Sequence, residues 1–323
     1  MKGFTRRLAF GLVCLLGMAG NAAAQGDYPN RIVKWVVPYP AGGATDIVAR
    51  LVGQFLSEKM GQQFIIENRP GAGNNIGTEA VINSAPDGYT VLLVNPANAI
   101  NASLYPKLTY NFINGTVPVG GICRVPNVMV VNPEVPAKSV AEFIAYVKAN
   151  PDKVNVASSG NGTSIHLSAE MFMMMTGAKM THVPYRGSAP AVTALLSGQV
   201  QVMFDNMPSA LPHVQAGKLR ALAVTTGERA PALPDVPVVG DTVKGYESSA
   251  FFGMSAPKGT PQAIIDKLNK AINEALVDPR IKARISDLGP TMIGGTPAAF
   301  GKLIEDHTAK WAKVVKEANI KVE

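Results

Sequence analysis

The sequence predicts an α/β fold of two domains, on three observations. Aliphatic runs that end in Gly, Pro, Ser or Asn clusters and then give way to helical periodicity recur along the chain, the rhythm of alternating strands and helices. A strand–turn–helix unit with a Gly-rich turn stands in each half. Removing an N-terminal export segment, residues 1–24, leaves 299 of the 323 residues, a length that buries a large core and favours two domains over one.

The export segment has the form of a cleavable secretory signal. Lys2, Arg6 and Arg7 precede an apolar run over residues 8–19, and Ala22, Ala23 and Ala24 supply small residues for cleavage after Ala24. The run is far shorter than the roughly 20 residues needed to span a bilayer. Bulky Val13 argues against lipid attachment at Cys14. The signal carries three positive charges and no acid, so its removal lowers the formal net charge from +7 to +4. That excess is too small and dispersed for nucleic acid. Only Cys123 then remains, so no intramolecular disulfide forms, and a lone thiol reads as a small buried hydrophobe.

Along the chain, residues 31–37 read as a strand and 38–44 as a turn. Ile47, Val48, Leu51, Val52, Phe55, Leu56 and Met60 then mark one face of a helix. Strand signals follow at 64–67 and 90–94. A second block opens near Pro126 with a short apolar run at 128–131. Ser139 and Glu142 have capping-box spacing for the next helix. Residues 154–157 form a strand, 158–164 a turn opening a helix, and 200–204 and 219–225 two further strands. A helix over 189–197 is stopped by Gly198. The stretch 228–246, with Pro231, Pro234 and Pro237, reads as a surface loop. Thr260-Pro261 and Thr296-Pro297 place a cap and a helix-starting proline at two later helices. The chain is expected to leave the first domain near Arg124 and return near Phe252, which gives a first domain of 25–124 with 253–323 and a second of 125–252.

The chemistry lies in the Gly-rich turns 38–46 and 158–164. A helix N-terminus presents unpaired N–H groups and a positive dipole end, which suit an anion. Glycine lets a ligand approach the backbone, and the hydroxyls of Ser158, Ser159, Thr163 and Ser164 can donate to carboxylate oxygens. Other chemistries fare worse. Gly77 lies one residue too late, and Ile165 occupies the third position, for a dinucleotide fingerprint, and no phosphate-loop lysine is present. A Gly-x-Ser-x-Gly elbow is absent. His166 and Glu170 share a helical face, but no second such pair accompanies them, and Met171, Met173, Met174 and Met175 read as core filler. No catalytic set, metal site or cofactor site is expected.

Taken as a set, several motifs resemble the tripartite tricarboxylate transporter receptors, the Bug extracytoplasmic solute receptors. They are residues 37–46 (VPYPAGGATD), 67–73 (ENRPGAG), 86–90 (PDGYT), 157–164 (ASSGNGTS), 182–187 (HVPYRG), 216–225 (AGKLRALAVT), 233–237 (LPDVP) and 256–261 (APKGTP). The resemblance runs from Tyr28 to Trp311. It implies a Venus-flytrap, type II-like periplasmic binding protein with a hinge of two crossings, whose cleft takes a dicarboxylate, an amino acid or an aromatic acid. It also implies a periplasmic location, separate membrane transporter subunits as partners, and a monomer.

Carried over residue by residue, the implied ligand-binding positions are Tyr39, Ala41, Gly42, Gly43, Asp46, Asn95, Ser158, Gly160, Asn161, Gly162, Thr163, Ser164, Phe204 and Asp205. Asp46 is open to a second reading as the cap of its own helix, and Asp205 as the start of a turn. Arg186 is a surface residue or a fork for a distal carboxylate, and Tyr39 stacks on a ligand or packs the cleft wall. Phe251-Phe252, Ala194 and the segment 111–118 depart from the family pattern. A ligand sensor for a membrane kinase and an enzyme acting on a carboxylic acid are the alternatives.

Overall fold

The computed structural model describes residues 28–105, 107–317 and 320–321. The export signal and Cys14 lie outside them. The first part runs β1 (Val33–Val37), α1 (Ala44–Met60), β2 (Phe64–Asn68), α2 (Asn75–Ile82), β3 (Thr90–Val94), α3 (Pro96–Leu104) and α4 (Phe112–Gly115) into a long strand, β4 (Thr116–Val131). There follow α5 (Val140–Ala149), β5 (Asn155–Ser158), α6 (Ser164–Thr176), β6 (Thr181–Pro184), α7 (Ser188–Leu196), β7 (Val202–Asn206), α8 (Met207–Gln215), β8 (Arg220–Val224) and α9 (Val239–Thr242). The last part is β9 (Ser249–Pro257), α10 (Gln262–Val277), α11 (Pro279–Asp287), β10 (Thr291–Gly294) and α12 (Pro297–Glu317).

Strands β2, β1 and β3 are parallel, and β9 joins β3 antiparallel. Strands β6, β5 and β7 form a second parallel set. Strand β4 belongs to both groups. From Thr116 to Pro126 it pairs with β9, and from Asn127 to Val131 it pairs with β7, with β8 on its other edge. The change of partner falls at Pro126, which has no N–H to give to a ladder.

Each sheet is covered on both faces, so its strands read as near-continuous apolar runs. Trp35 and Val37 pack on one face of the first sheet with Val48, Val52 and Leu268, whereas Val36 packs on the other with Leu92, Phe251 and Phe300. In the second sheet Met129 and Phe204 face one core, and Val128 and Met203 the other. Cys123 is fully buried in the first core, and burial pushes its thiol up, as expected of a packing residue.

The two crossings are knotted together by buried polar groups. The Thr225 hydroxyl donates to the Ser248 carbonyl at 2.6 Å and lies 3.0 Å from the Asn127 carbonyl. Asn206 Nδ2 donates to Asn127 Oδ1 at 2.6 Å, and Asn127 Nδ2 reaches Ser168 Oγ at 3.1 Å. Every partner is fully or almost fully buried, so the knot fixes the path of the chain where β4 passes from one sheet to the other.

Several expectations need correction. The run 128–131 is only the tail of β4, whose first half was masked by Pro118 and two consecutive glycines. Val125, Ala250 and Phe252 pack in the first core, not the second, because β9 keeps its pairing with β4 back to Ser249. The stretch 228–246 is not all surface loop: Val239, Val243 and Tyr246 are buried, and the Tyr246 hydroxyl donates to the Ser168 carbonyl. Glu142 reaches back to the N–H of Lys138, so the capping box at α5 is completed one residue early. The Thr260 hydroxyl closes a turn on the Pro257 carbonyl and caps nothing, while Thr296 does receive the N–H of Ala299. Met174 and Met175 are exposed, so only part of the methionine cluster is core.

Gly253 sits where β4, β9 and α12 meet, and a Cβ there would lie 2.6 Å from the Gly120 carbonyl oxygen and collide with the Phe300 ring. The backbone oxygen cannot give way. Gly253→Ala is therefore expected to lower stability by about 1–3 kcal/mol in urea unfolding, and an unchanged midpoint would contradict this packing.

Candidate functional site

Five helices start at the carboxyl ends of parallel strands: α1 after β1, α3 after β3, α6 after β5, α7 after β6 and α8 after β7. In open α/β sheets this is where a crevice forms. Because β4 ties the two sheets together, the five starts converge on one niche. Gly43, Ala44 and Thr45 come from α1, Asn95 and Pro96 from α3, Thr163 and Ser164 from α6, Ser188 from α7 and Asn206 from α8. Tyr39, Ser159 and Phe252 complete the walls. Among the described residues no Lys, Arg, Asp or Glu lines it.

Asn95 and Thr163 cap their own helices, by accepting the N–H groups of Ala97 and His166. Gly43, Gly187 and Asn206 make no side-chain capping bond. First-turn N–H groups of α1, α7 and α8 therefore keep donors for an occupant, with the positive ends of five dipoles behind them. The Tyr39 hydroxyl lies 3.2 Å from Asn95 Oδ1, and burial pushes its phenol up, so it is a neutral donor. The niche is narrow, about 20 Å³, which is room for one water-sized group.

A larger chamber of about 320 Å³ adjoins it and shares Tyr39 and Ser159. Its other walls come from residues 38, 70–74, 105, 160–161 and 184–186, and Arg186 is its one charged lining residue. Gly162 packs on Asn101 and on Leu104, whose Cδ2 lies 3.0 Å from where a Cβ would stand, and Leu167 joins Ile100, Leu104, Trp311 and Val315 in one cluster.

The residues expected from sequence divide into three groups. Tyr39, Gly43, Asn95, Thr163 and Ser164 line the niche, and Gly160 and Asn161 line the outer chamber. Ala41 and Gly42 are exposed on the first turn and line neither. The other five, Asp46, Ser158, Gly162, Phe204 and Asp205, line neither space. The carboxylate of Asp46 takes bonds from the Gly42 N–H, Arg50 and Asn68; burial opposes its charge, but those bonds outweigh burial and hold its carboxyl below the ordinary range. It locks its own turn. Ser158 is fully buried, with Oγ 2.6 Å from His182 Nε2. Gly162 faces α3, at φ +78°, and Phe204 packs at tilted angles against Phe172 and Tyr246 in the aromatic core.

Asp205 is fully buried behind the niche. Its carboxylate accepts from Ser188 Oγ at 2.8 Å and from Ser209 Oγ. Burial pushes it up to about 6, against the pull of the bonds from Ser209, Ser188 and the Asn206 N–H. It is a positioning residue for Ser188. Thr45, Ser188, Asn206 and Phe252 also line the niche and were not singled out from the sequence. For Ser188 the signal was present: it follows the HVPYRG run, at the start of a predicted helix.

His182 stands beside the helical pair His166 and Glu170, with the imidazoles stacked at 4.0 Å between centroids and 19° between planes. A metal must lie near the plane of each imidazole that binds it. Two nearly parallel rings share no such point, so this arrangement is a packed hydrogen-bonding cluster. His166 Nδ1 receives the Gly162 N–H at 3.3 Å, and His182 holds Ser158, so the pair braces the second turn.

The sequence model described as the tripartite tricarboxylate transporter family receptor matches residues 48–320. Protein BugT of Bordetella pertussis is 38% identical over 315 residues, 96% of each chain. Among solved structures, Rpa4515 of R. palustris, determined with adipate, superposes with a TM-score of 0.89 at 38% identity, over 91% of this chain and 99% of that one. MatC from Rhodopseudomonas palustris, determined with malate, gives 0.85 at 33% identity, over 89% and 100%.

Burial, with His166 beside it, pushes His182 down from 6.5 to about 3. An unfolded histidine takes its proton near pH 6.5, so between pH 6.5 and 3 the unfolded state binds more protons and stability falls as pH drops. His182→Gln removes that contribution. Urea midpoints between pH 7 and 4 are expected to fall more steeply for the wild type than for the variant, and parallel curves would show that His182 titrates normally.

Proposed function

The chain belongs to the tripartite tricarboxylate transporter receptor family, and we propose that it is a periplasmic solute receptor that captures a small organic carboxylate and passes it unchanged to separate membrane subunits. The observation that carries this reading is the niche built from five helix starts without a charged side chain. Each N-terminus favours an anion by about 0.3–1 kcal/mol at an exposed site and up to ~2 kcal/mol where partly buried. A carboxylate supplies acceptor lone pairs for the N–H groups and for the hydroxyl of Thr45. Relatives solved with adipate and malate support a carboxylate as cargo.

The protein acts as a monomer, binds no nucleic acid and turns nothing over. Supporting this, the niche offers hydroxyl, amide and N–H groups but no acid–base pair, and the thiol of Cys123 is buried in the core. We read its hinge as lying between Pro126 and Asn127 and between Ser248 and Ser249, a reading supported by the change of partner of β4 after Pro126 and by the start of β9 at Ser249. At about 20 Å³ the niche admits no whole ligand, so entry requires the lobes to open and capture requires them to close.

Two results are expected. In a thermal-shift panel of mono-, di- and tricarboxylates, amino acids and aromatic acids, a true ligand at 100 times its dissociation constant adds about 2.7 kcal/mol of stability; no shift from any acid contradicts the reading. Gly162→Val puts a branched side chain at a left-handed position facing Asn101 and Leu104. It is expected to fold yet lose most ligand affinity, because it wedges the lobes apart; wild-type affinity would make the contact incidental.

A further inference from the structure

The niche takes one anionic head, and the adjoining chamber indicates what stands at the other end of the ligand. Three features of the chamber bear on this. It shares the lining residues Tyr39 and Ser159 with the niche, so it lies next to a molecule held by its head. Its flanks include the rings of Tyr105 and Tyr185, which suit an apolar chain or a flat ring. Arg186 stands at its wall as the single charged group, and among the described residues it enters no ion pair and no side-chain hydrogen bond. A guanidinium with a free fork, beside a cavity with no carboxylate to neutralise it, matches a second carboxylate.

We propose that Arg186 selects ligands with two anionic ends: one carboxylate in the niche, an apolar linker between the tyrosines, and the distal carboxylate on the Arg186 guanidinium. This rests on the carboxylate-receptor reading above and narrows it. No Asp or Glu lines either space, so a ligand with an ammonium group finds only neutral acceptors and faces the like charge of Arg186. Of the three classes implied by the sequence, diacids are therefore favoured over amino acids and over aromatic monoacids.

The test is calorimetric titration of the mature protein with matched pairs: succinate and butyrate, adipate and hexanoate, terephthalate and 4-methylbenzoate, with 6-aminohexanoate as the zwitterion. In at least one pair the diacid is expected to bind about tenfold tighter than its partner, the gain of a charge-assisted bond. Arg186→Gln is expected to shrink that ratio to about twofold, Arg186→Lys to keep much of it, and added salt to erode it in the wild type alone. Circular dichroism and the melting temperature verify that the exposed substitution leaves the fold intact. Monoacids binding as well as diacids, or a ratio unmoved by Arg186→Gln, overturns the role of Arg186 while leaving the receptor reading standing. Failure of every acid to bind the wild type overturns both.

Discussion

The structure depends on one covalent constraint, the membership of β4 in two sheets. A strand of 16 residues pairs with β9 over its first part and with β7 and β8 over its last. Each sheet is otherwise an independent layer with helices on both faces. Because one strand threads both, the carboxyl ends of the two parallel sets face each other, and the helices that follow those strands start on opposite sides of one crevice. The buried knot of Asn127, Ser168, Asn206, Thr225 and Ser248 holds the second crossing against the first. Asn206 belongs both to that knot and to the niche, so the buried network and the niche wall share a side chain.

A site made of backbone donors and dipoles has different physics from one built on a buried cation. A buried lysine or arginine has a desolvation cost in the empty state and needs a permanent partner. Peptide dipoles are already oriented by the helices, so an anion meets little reorganisation when it enters. The two acids nearby are arranged so as not to oppose it. Asp46 is matched by Arg50 and faces its own turn, and Asp205 is buried behind Ser188 with a carboxyl pushed up to about 6. Among the described residues Arg186 is the one cation lining either space, and it lies in the outer chamber, away from the helix starts.

Much of this was legible in the sequence because the fold is locally consistent. The helix face of α1, strand β3 to its exact residues, and the turn before α6 all follow from periodicity and turn chemistry. What failed failed for physical reasons. The first half of β4 contains Pro118, Gly120 and Gly121, which read as breakers, yet pairing with β9 and β10 overrides them. Tyr246 lies in a proline-rich stretch and is nonetheless core, because its ring fills a gap beside Phe172 and Phe204. In the site, both Gly-rich turns read from the sequence contribute lining residues to the niche. Which of their side chains point inward was not legible, since Asp46, Ser158 and Gly162 are used by contacts that form only in the folded chain. The contribution of Asn206 was invisible for the same reason: a helix start without a cap is identified by what it fails to bond.

The most direct test of the account is a crystal structure of the protein with its tightest-binding carboxylic acid. The account predicts one carboxylate inside the niche, its oxygens roughly 2.7–3.2 Å from first-turn N–H groups of α1, α7 or α8 and from neighbouring hydroxyls, with no cationic side chain in contact with that end. An acid lodged wholly in the outer chamber, with its carboxylate on Arg186 and the niche filled by water, would contradict it.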